Sequence, residues 1–141
     1  MKPDSFRLAR SAYPFFRPVI ARFSDMDAER HLNNVALASF YEDARVSFLR
    51  SMAGAAPACR FVIAHVGISY LAEAQYPGDY DVGVGVARFG KTSFEMGCAL
   101  FAGDTCVGVC DSIQVAIGET GPTPIPPILR AALEKKLLIR A

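Results

Sequence analysis

Residues 34–52 read NVALASFYEDARVSFLRSM, and their periodicity decides the architecture. Leu37, Tyr41, Ala44, Phe48 and Met52 recur at three- and four-residue spacing, so a helix over Asn34–Met52 gathers them into one stripe. Ser39, Asp43 and Arg50 fall on the opposite side. Phe40, Ala38 and Leu49 widen the apolar face beyond that of a surface helix, which predicts a helix surrounded by protein. Gly54 and Pro57 stop it.

Beyond Phe61 the period changes from that of a helix to that of a strand. Tyr80, Val82, Val84 and Val86 alternate with Asp81, Gly83, Gly85 and Ala87, giving one bulky and one very small face. Phe94, Met96, Cys98 and Leu100 repeat the pattern, and Val107, Val109, Ile113, Val115 and Ile117 share a parity further on. Turn signals at Pro77-Gly78-Asp79, Phe89-Gly90-Lys91 and Ala102-Gly103-Asp104 separate the runs, so an antiparallel meander of four long strands is expected. The small face at Gly83 and Gly85 invites close approach of another backbone, either the helix or a second subunit. Asp111 interrupts the apolar parity of the last strand. It requires either a bulge that inverts the register or a buried, paired carboxylate.

Upstream, Arg17–Phe23 reads as a first strand with Val19, Ala21 and Phe23 on one side. Downstream, a proline-rich linker leads to a short amphipathic helix from Pro127 to Leu138, with Pro126 and Pro127 suited to its first turn. A strand, a long buried helix and a run of antiparallel strands make an α+β architecture, one sheet wrapped around one helix.

The chain has 141 residues, which suits one domain spanning 1–141. Fifteen basic and fourteen acidic residues leave a formal charge of +1, which gives no electrostatic case for a nucleic-acid partner. Cys59, Cys98, Cys106 and Cys110 form no C-x-x-C pair, and His31 and His65 lie far from them in sequence, so no metal site is expected. Scattered cysteines in an apolar chain read as buried hydrophobes of a reducing compartment. Arg7, Arg10, Pro14, Arg17 and Pro18 break up the first 22 residues, which therefore do not read as a signal peptide. No run approaches the roughly 20 apolar residues of a membrane helix, so no membrane association and a cytoplasmic location are expected.

The chemistry concentrates in SDMDAERHLNN, residues 24–34. Ionisable groups and two amides there precede a helix whose N-terminus offers unpaired N–H groups and partial positive charge. A carboxylate beside those donors can attack a carbonyl or activate water while the N–H groups stabilise the oxyanion. Asp25, Asp27 and Asn33 are equally the residue types that cap helices and form turns, and on local grounds capping is the plainer reading.

RFSDMDAERHLNNVALASFYEDARVSFLR, Arg22 to Arg50, resembles the signature of 4-hydroxybenzoyl-CoA thioesterase-like hotdog proteins. It carries D-x-D, then H-x-N-N, then a helix with E-x-A-R. Ile68-Ser69-Tyr70-Leu71, Gly78-Asp79 and Phe89-Gly90-Lys91-Thr92-Ser93-Phe94 continue the likeness more loosely.

The resemblance implies a hotdog fold, a long central helix wrapped by an antiparallel sheet, and hydrolysis of an acyl-CoA to free acid and CoA. It assigns Asp27 as the catalytic carboxylate, nucleophile or general base, and places the carbonyl-polarising backbone N–H at Asn34. His31 and Asn33 match its H-x-N and either orient the Asp or a water, or serve only as a capping network. Glu42 and Arg45 match E-x-A-R and are read as an ion pair, with each other or across an interface. Glu42 is the reserve acid.

Val35 and Leu37 fall where an acyl group would lie, and Arg88, Lys91 and Ser93 where CoA phosphates would; a solvated charged turn is the commoner reading of the last three. No cofactor is implied, and the partners implied are acyl-CoA and a second copy of the chain, as a homodimer or dimer of dimers with the site between subunits. Two departures stand out: Arg30 replaces a frequent Gly before the His, and Leu37 replaces a Tyr. A non-catalytic module that binds acyl-CoA or an acyl-carrier protein is the main alternative, and a hydroxyacyl-thioester dehydratase is a third.

Overall fold

The computed structural model describes residues 2–52, 54 and 59–140. Asn33 opens α1 (Asn34–Arg50): its Oδ1 accepts the Ala36 N–H at 2.8 Å, satisfying a first-turn donor that no preceding turn can reach. At the other end the Ser51 hydroxyl donates to the Phe48 carbonyl. Pro57 lies outside the described residues. Leu37, Phe40, Tyr41, Ala44, Phe48 and Met52 are buried, as their spacing requires. The helix is nevertheless not enclosed. Val35, Ala38, Glu42 and Val46 are exposed, because a single sheet covers only one side of a cylinder.

The strands are β1 (Phe15–Ile20), β2 (Arg60–Tyr70), β3 (Asp79–Phe89), β4 (Ser93–Ala102), β5 (Thr105–Gly118) and the short β6 (Gly121–Pro122). They form one antiparallel sheet in the order β1-β3-β4-β5-β2, with β6 paired to β5. Only β3, β4 and β5 form a meander. β2 does not pair with β3, contrary to the four-strand expectation, but runs along the far edge of β5 from Arg60↔Ile117 to Tyr70↔Gly108. The connection 71–78 therefore crosses the sheet, and on its way it takes the Leu32 N–H on the Ala74 carbonyl at 2.7 Å. That crossing ties the polar loop to the sheet.

β1 begins and ends earlier than expected. Ala21 is buried against the Gly78 carbonyl, but Phe23 starts a 3₁₀ turn (Phe23–Asp25) and is 70% exposed. The Asp25 side chain accepts the Arg22 N–H and breaks the extended run.

Tyr80, Val82, Val84 and Val86 face α1, as do Phe94, Met96, Cys98 and Leu100. The glycine face meets neither the helix nor a second copy. An added Cβ on Gly83 would lie 2.6 Å from Tyr13 Cγ, and one on Gly85 would lie 2.7 Å from Leu138 Cδ2. The N-terminal segment and the C-terminal tail thus strap the outer side of the sheet, where Ala12, Tyr13, Ala99, Phe101 and Val109 make a second apolar cluster. α2 spans Pro127–Glu134 and stops short of the expected Leu138. The tail after it bridges Val86 in parallel, with Val86 N–H to Lys136 O at 2.8 Å and Leu138 N–H to Val86 O at 2.9 Å.

Asp111 resolves both of its alternatives. A register shift between Leu100 and Phe101 places Val107 in the inner cluster and Val109 in the outer one. From there Cys110, Ser112, Gln114 and Ala116 face inward, and Asp111 faces outward, where buried Arg7 meets it at 2.9 Å. The apolar parity of β5 is therefore not its core face along the whole strand. Cys98 and Cys110 are buried and unbridged, and burial raises both thiols, Cys110 to about 11. Among the described residues no helix is long and apolar enough to cross a membrane.

Candidate active site

The loop between the 3₁₀ turn and α1 is a small closed structure. Met26 and Leu32 bridge, the Asp27 N–H donates to the His31 carbonyl at 2.7 Å, and His31 bridges Gln75 of the crossing connection. Arg30 sits at φ 66, a left-handed conformation that a side chain disfavours. The backbone thus keeps a shape suited to glycine although arginine occupies the position.

Asp25 and Asp27 divide the work of the D-x-D. Asp25 is buried, and its carboxylate takes the Arg22 guanidinium at 3.0 Å and the Arg22 backbone N–H at 2.8 Å. The Arg22 side-chain hydrogen bond, with support from the backbone N–H and the charge, holds the Asp25 carboxyl below the usual carboxylate range against the effect of burial. Its main-chain carbonyl accepts the Asn33 N–H at 2.8 Å, so Asp25 fixes the start of α1.

Asp27 is exposed. Its Oδ1 accepts the N–H groups of Glu29 at 2.8 Å and His31 at 3.1 Å, an arrangement that locks the carboxylate in orientation. Its Oδ2 accepts no hydrogen bond from the described residues.

His31 points elsewhere. Its Nε2 lies 3.0 Å from Glu73 of the crossing connection. Asn33 is the helix cap described above, so both residues hold structure around the loop and neither hydrogen-bonds Asp27 through its side chain. Glu73 was not legible as a partner, because only the tertiary crossing brings it to His31.

At the head of α1 the N–H groups of Asn34 and Val35 have no acceptor among the described residues, since Ala36 takes the cap and Leu37 donates to the Asn33 carbonyl. They lie at a groove of about 360 Å³ lined by Arg22, Ser24, Asp25, Asn33, Asn34, Val35, Ala36 and Ser39; Asp25 is the carboxylate on its wall, and neither Asp27 nor His31 lines it. Val35, 80% exposed, supplies its apolar wall. Leu37 turns into the core instead and does not line the groove.

Arg88, Lys91 and Ser93 gather at the far end of β3. Arg88 Nε is 2.8 Å from Glu95, and Arg88 and Ser93 border a hollow with Phe89 and Gly90. The site loop instead meets the connection that leads into the start of β3, where the Tyr76 N–H donates to the Arg30 carbonyl at 3.1 Å. The ten steps of the 11-residue β3, at up to about 3.4 Å each, put its two ends up to roughly 34 Å apart, so the loop and these three residues lie at opposite ends of one protomer's sheet.

Glu42 and Arg45 do not pair. Arg45 is buried beside Cys110 Sγ at 3.6 Å, and Glu42 is exposed.

Residues 21–133 match the family model of the thioesterase-like superfamily. A solved structure described as a thioesterase superfamily protein from Jannaschia sp. CCS1 shares 31% identity over 86% of this chain and 81% of its own, with a TM-score of 0.76. A Pseudomonas aeruginosa PAO1 protein shares 26% identity over 92% of this chain and 96% of its own, with a TM-score of 0.83. A Thermus thermophilus thioesterase, solved in complex with coenzyme A and Zn, has a TM-score of 0.77 at 24% identity, covering 88% of this chain and 94% of its own. No curated protein matches the chain.

Proposed function

The chain belongs to the thioesterase-like superfamily, and from that membership we propose that it hydrolyses an acyl-CoA to a free acid and CoA, with Asp27 as the catalytic carboxylate. The observation that carries the reading is the mouth of α1. The Asn34 and Val35 N–H groups are unoccupied donors on an open groove, and a thioester oxygen there would gain negative charge beside them as the carbonyl is attacked. Asp27 is held by two backbone donors on one oxygen and leaves the other oxygen available, the state a general base or nucleophile requires.

As a base, Asp27 takes a proton from water, whose oxygen adds to the carbonyl carbon. The carbon–sulfur bond then breaks, and the thiolate of CoA recovers a proton. As a nucleophile, the carboxylate itself forms the new carbon–oxygen bond while the carbon–sulfur bond breaks and the CoA thiolate leaves to take up a proton, and water then cleaves the resulting anhydride to regenerate the carboxylate and release the acid. Both routes give the same products.

The exposure of Asp27 and the distance to Arg88, Lys91 and Ser93 support a site shared by two copies. An antiparallel pair of protomers joined at their sheet edges would bring the β3–β4 turn of one toward the loop of the other. β2 is the longer edge strand, and Val62, Ile63 and Val66 are exposed along it. In this reading Arg88, Lys91 and Ser93 meet the CoA phosphates from the partner, Val35 lies along the acyl group, and His31 and Asn33 hold the loop.

The test is thiol release across a panel of acyl-CoAs. Asp27→Asn is expected to lose at least about 10²-fold in kcat/KM with the fold intact. A variant within a few-fold of wild type would remove Asp27 from the mechanism. The second reading, a module that binds acyl-CoA without turnover, is favoured by the solvent exposure of Asp27, and tight binding with no thiol release would establish it.

A further inference from the structure

The polar loop and the crossing connection 71–78 run together as a short ribbon. The Leu32 N–H donates to the Ala74 carbonyl at 2.7 Å, His31 bridges Gln75, and the Tyr76 N–H donates to the Arg30 carbonyl at 3.1 Å. Glu73, one residue before Ala74, reaches back to the loop with its side chain: its Oε2 lies 3.0 Å from His31 Nε2. On the other side of the ring Glu29 stands more loosely, with its Oε2 3.8 Å from Nδ1. Both carboxylates are exposed.

The main-chain bonds already hold the ribbon, and an exposed pair of this kind adds little to stability. What the Glu73 contact decides is where the imidazole points. The main-chain N–H of the same residue donates to Asp27 Oδ1 at 3.1 Å, so the ring is hinged beside the Asp27 carboxylate. Asp27 Oδ2 accepts no hydrogen bond from the described residues. An imidazole carries at least one N–H at neutral pH, and an ionised carboxylate is a strong acceptor for it. Released from Glu73, the ring can turn about its two side-chain torsions onto that open oxygen. A hydrogen bond there would occupy the atom that takes a proton from water or attacks the thioester, and would lower its basicity.

We infer that Glu73 is a positioning residue of the site: it holds the His31 imidazole away from Asp27 and so keeps Asp27 Oδ2 open to water or thioester. The inference rests on Asp27 as the catalytic carboxylate, while the contact itself is measurable without turnover.

Steady-state thiol release and NMR of the His31 ring nitrogens, on the same full-length variants, test it. Glu73→Ala should lower kcat at least about 5-fold with KM within about 2-fold of wild type, because the oxygen that is lost acts in the chemical step. Glu73→Gln, which keeps an acceptor at the position, should stay within about 2-fold of wild type in both constants. Adding His31→Ala to Glu73→Ala should restore most of the lost kcat, since the ring that covers Asp27 is then gone. A glutamate that only braced the loop would give no such recovery. In the NMR, the His31 ring-nitrogen shifts of Glu73→Ala should move on adding Asp27→Asn by more than those of the wild-type chain do. If the Glu73→Ala/His31→Ala chain does not fold, the Ala and Gln comparison and the ring shifts still decide. A wild-type kcat in Glu73→Ala, a folded double variant no faster than Glu73→Ala, or ring shifts in Glu73→Ala that ignore Asp27→Asn would each overturn the inference. Wild-type activity in Asp27→Asn alone would instead remove the hydrolysis reading, and the ring shifts would still show whether Glu73 holds the imidazole.

Discussion

Arg30 shows how one residue records a compromise between backbone and side chain. At φ 66 it occupies a conformation that costs an L-residue about 1–2 kcal/mol, offset in glycine only by the entropy glycine loses on folding. Arg30→Gly is therefore expected to raise stability by about 0.5–1 kcal/mol in urea denaturation; a loss would mean that the arginine side chain contributes more than its strain. Asp25 makes a pH-dependent contribution. Its carboxyl is held below the usual range by Arg22, so the folded state binds its proton less readily than the unfolded chain. The stabilisation is complete above the unfolded value of about 4 and is lost as pH falls through the lower folded value. Thermal scans should show wild type exceeding Asp25→Asn by a constant margin above about pH 5, shrinking below about pH 4; a margin independent of pH would exclude the ion pair as its source. The identity of these residues was legible in D-x-D and H-x-N-N. Their division of roles was not, because which carboxylate meets Arg22 depends on a turn that interrupts β1.

Among the elements, α1 was the most legible. Its stripe, its start and its cap follow from spacing and from Asn33 alone, since a helix period is a local property. β1 and α2 were less so, each displaced or shortened where a local hydrogen bond or a tail pairing outweighed the pattern. β5 misled outright: its apolar parity changes face at Val107, and a bulge leaves no mark on a period-two count. The straps on the outer side of the sheet give this scale its prediction. Gly83 leaves no room for a side chain, with Tyr13 packed on it, so Gly83→Ala should destabilise by about 1–3 kcal/mol through overpacking. Tyr13→Ala should relieve most of that penalty in the double variant. Additive losses in chemical denaturation would show that the two do not touch in solution.

Across the whole molecule, the exposed flank of α1 and the long edge strand β2 leave apolar surface in a protomer that otherwise buries its core well. Ile63 is 49% exposed on that edge, and Ile63→Lys should shift the chain toward monomer in sedimentation and lower thiol release with it. A monomeric variant with full activity would place the site within one subunit. By itself the sequence determined the α+β plan, the helix and its buried stripe, the polar loop before it, and the family, because these rest on local periodicity and on contiguous motifs. Only the tertiary structure decided that β2 crosses to pair with β5, that the glycine face receives the chain's own two ends, that Glu73 meets His31, and that Arg45 turns into the core beside Cys110 and not toward Glu42. Each joins residues far apart in the chain. Such contacts are chosen by packing and by hydrogen bonds that no short window of sequence contains.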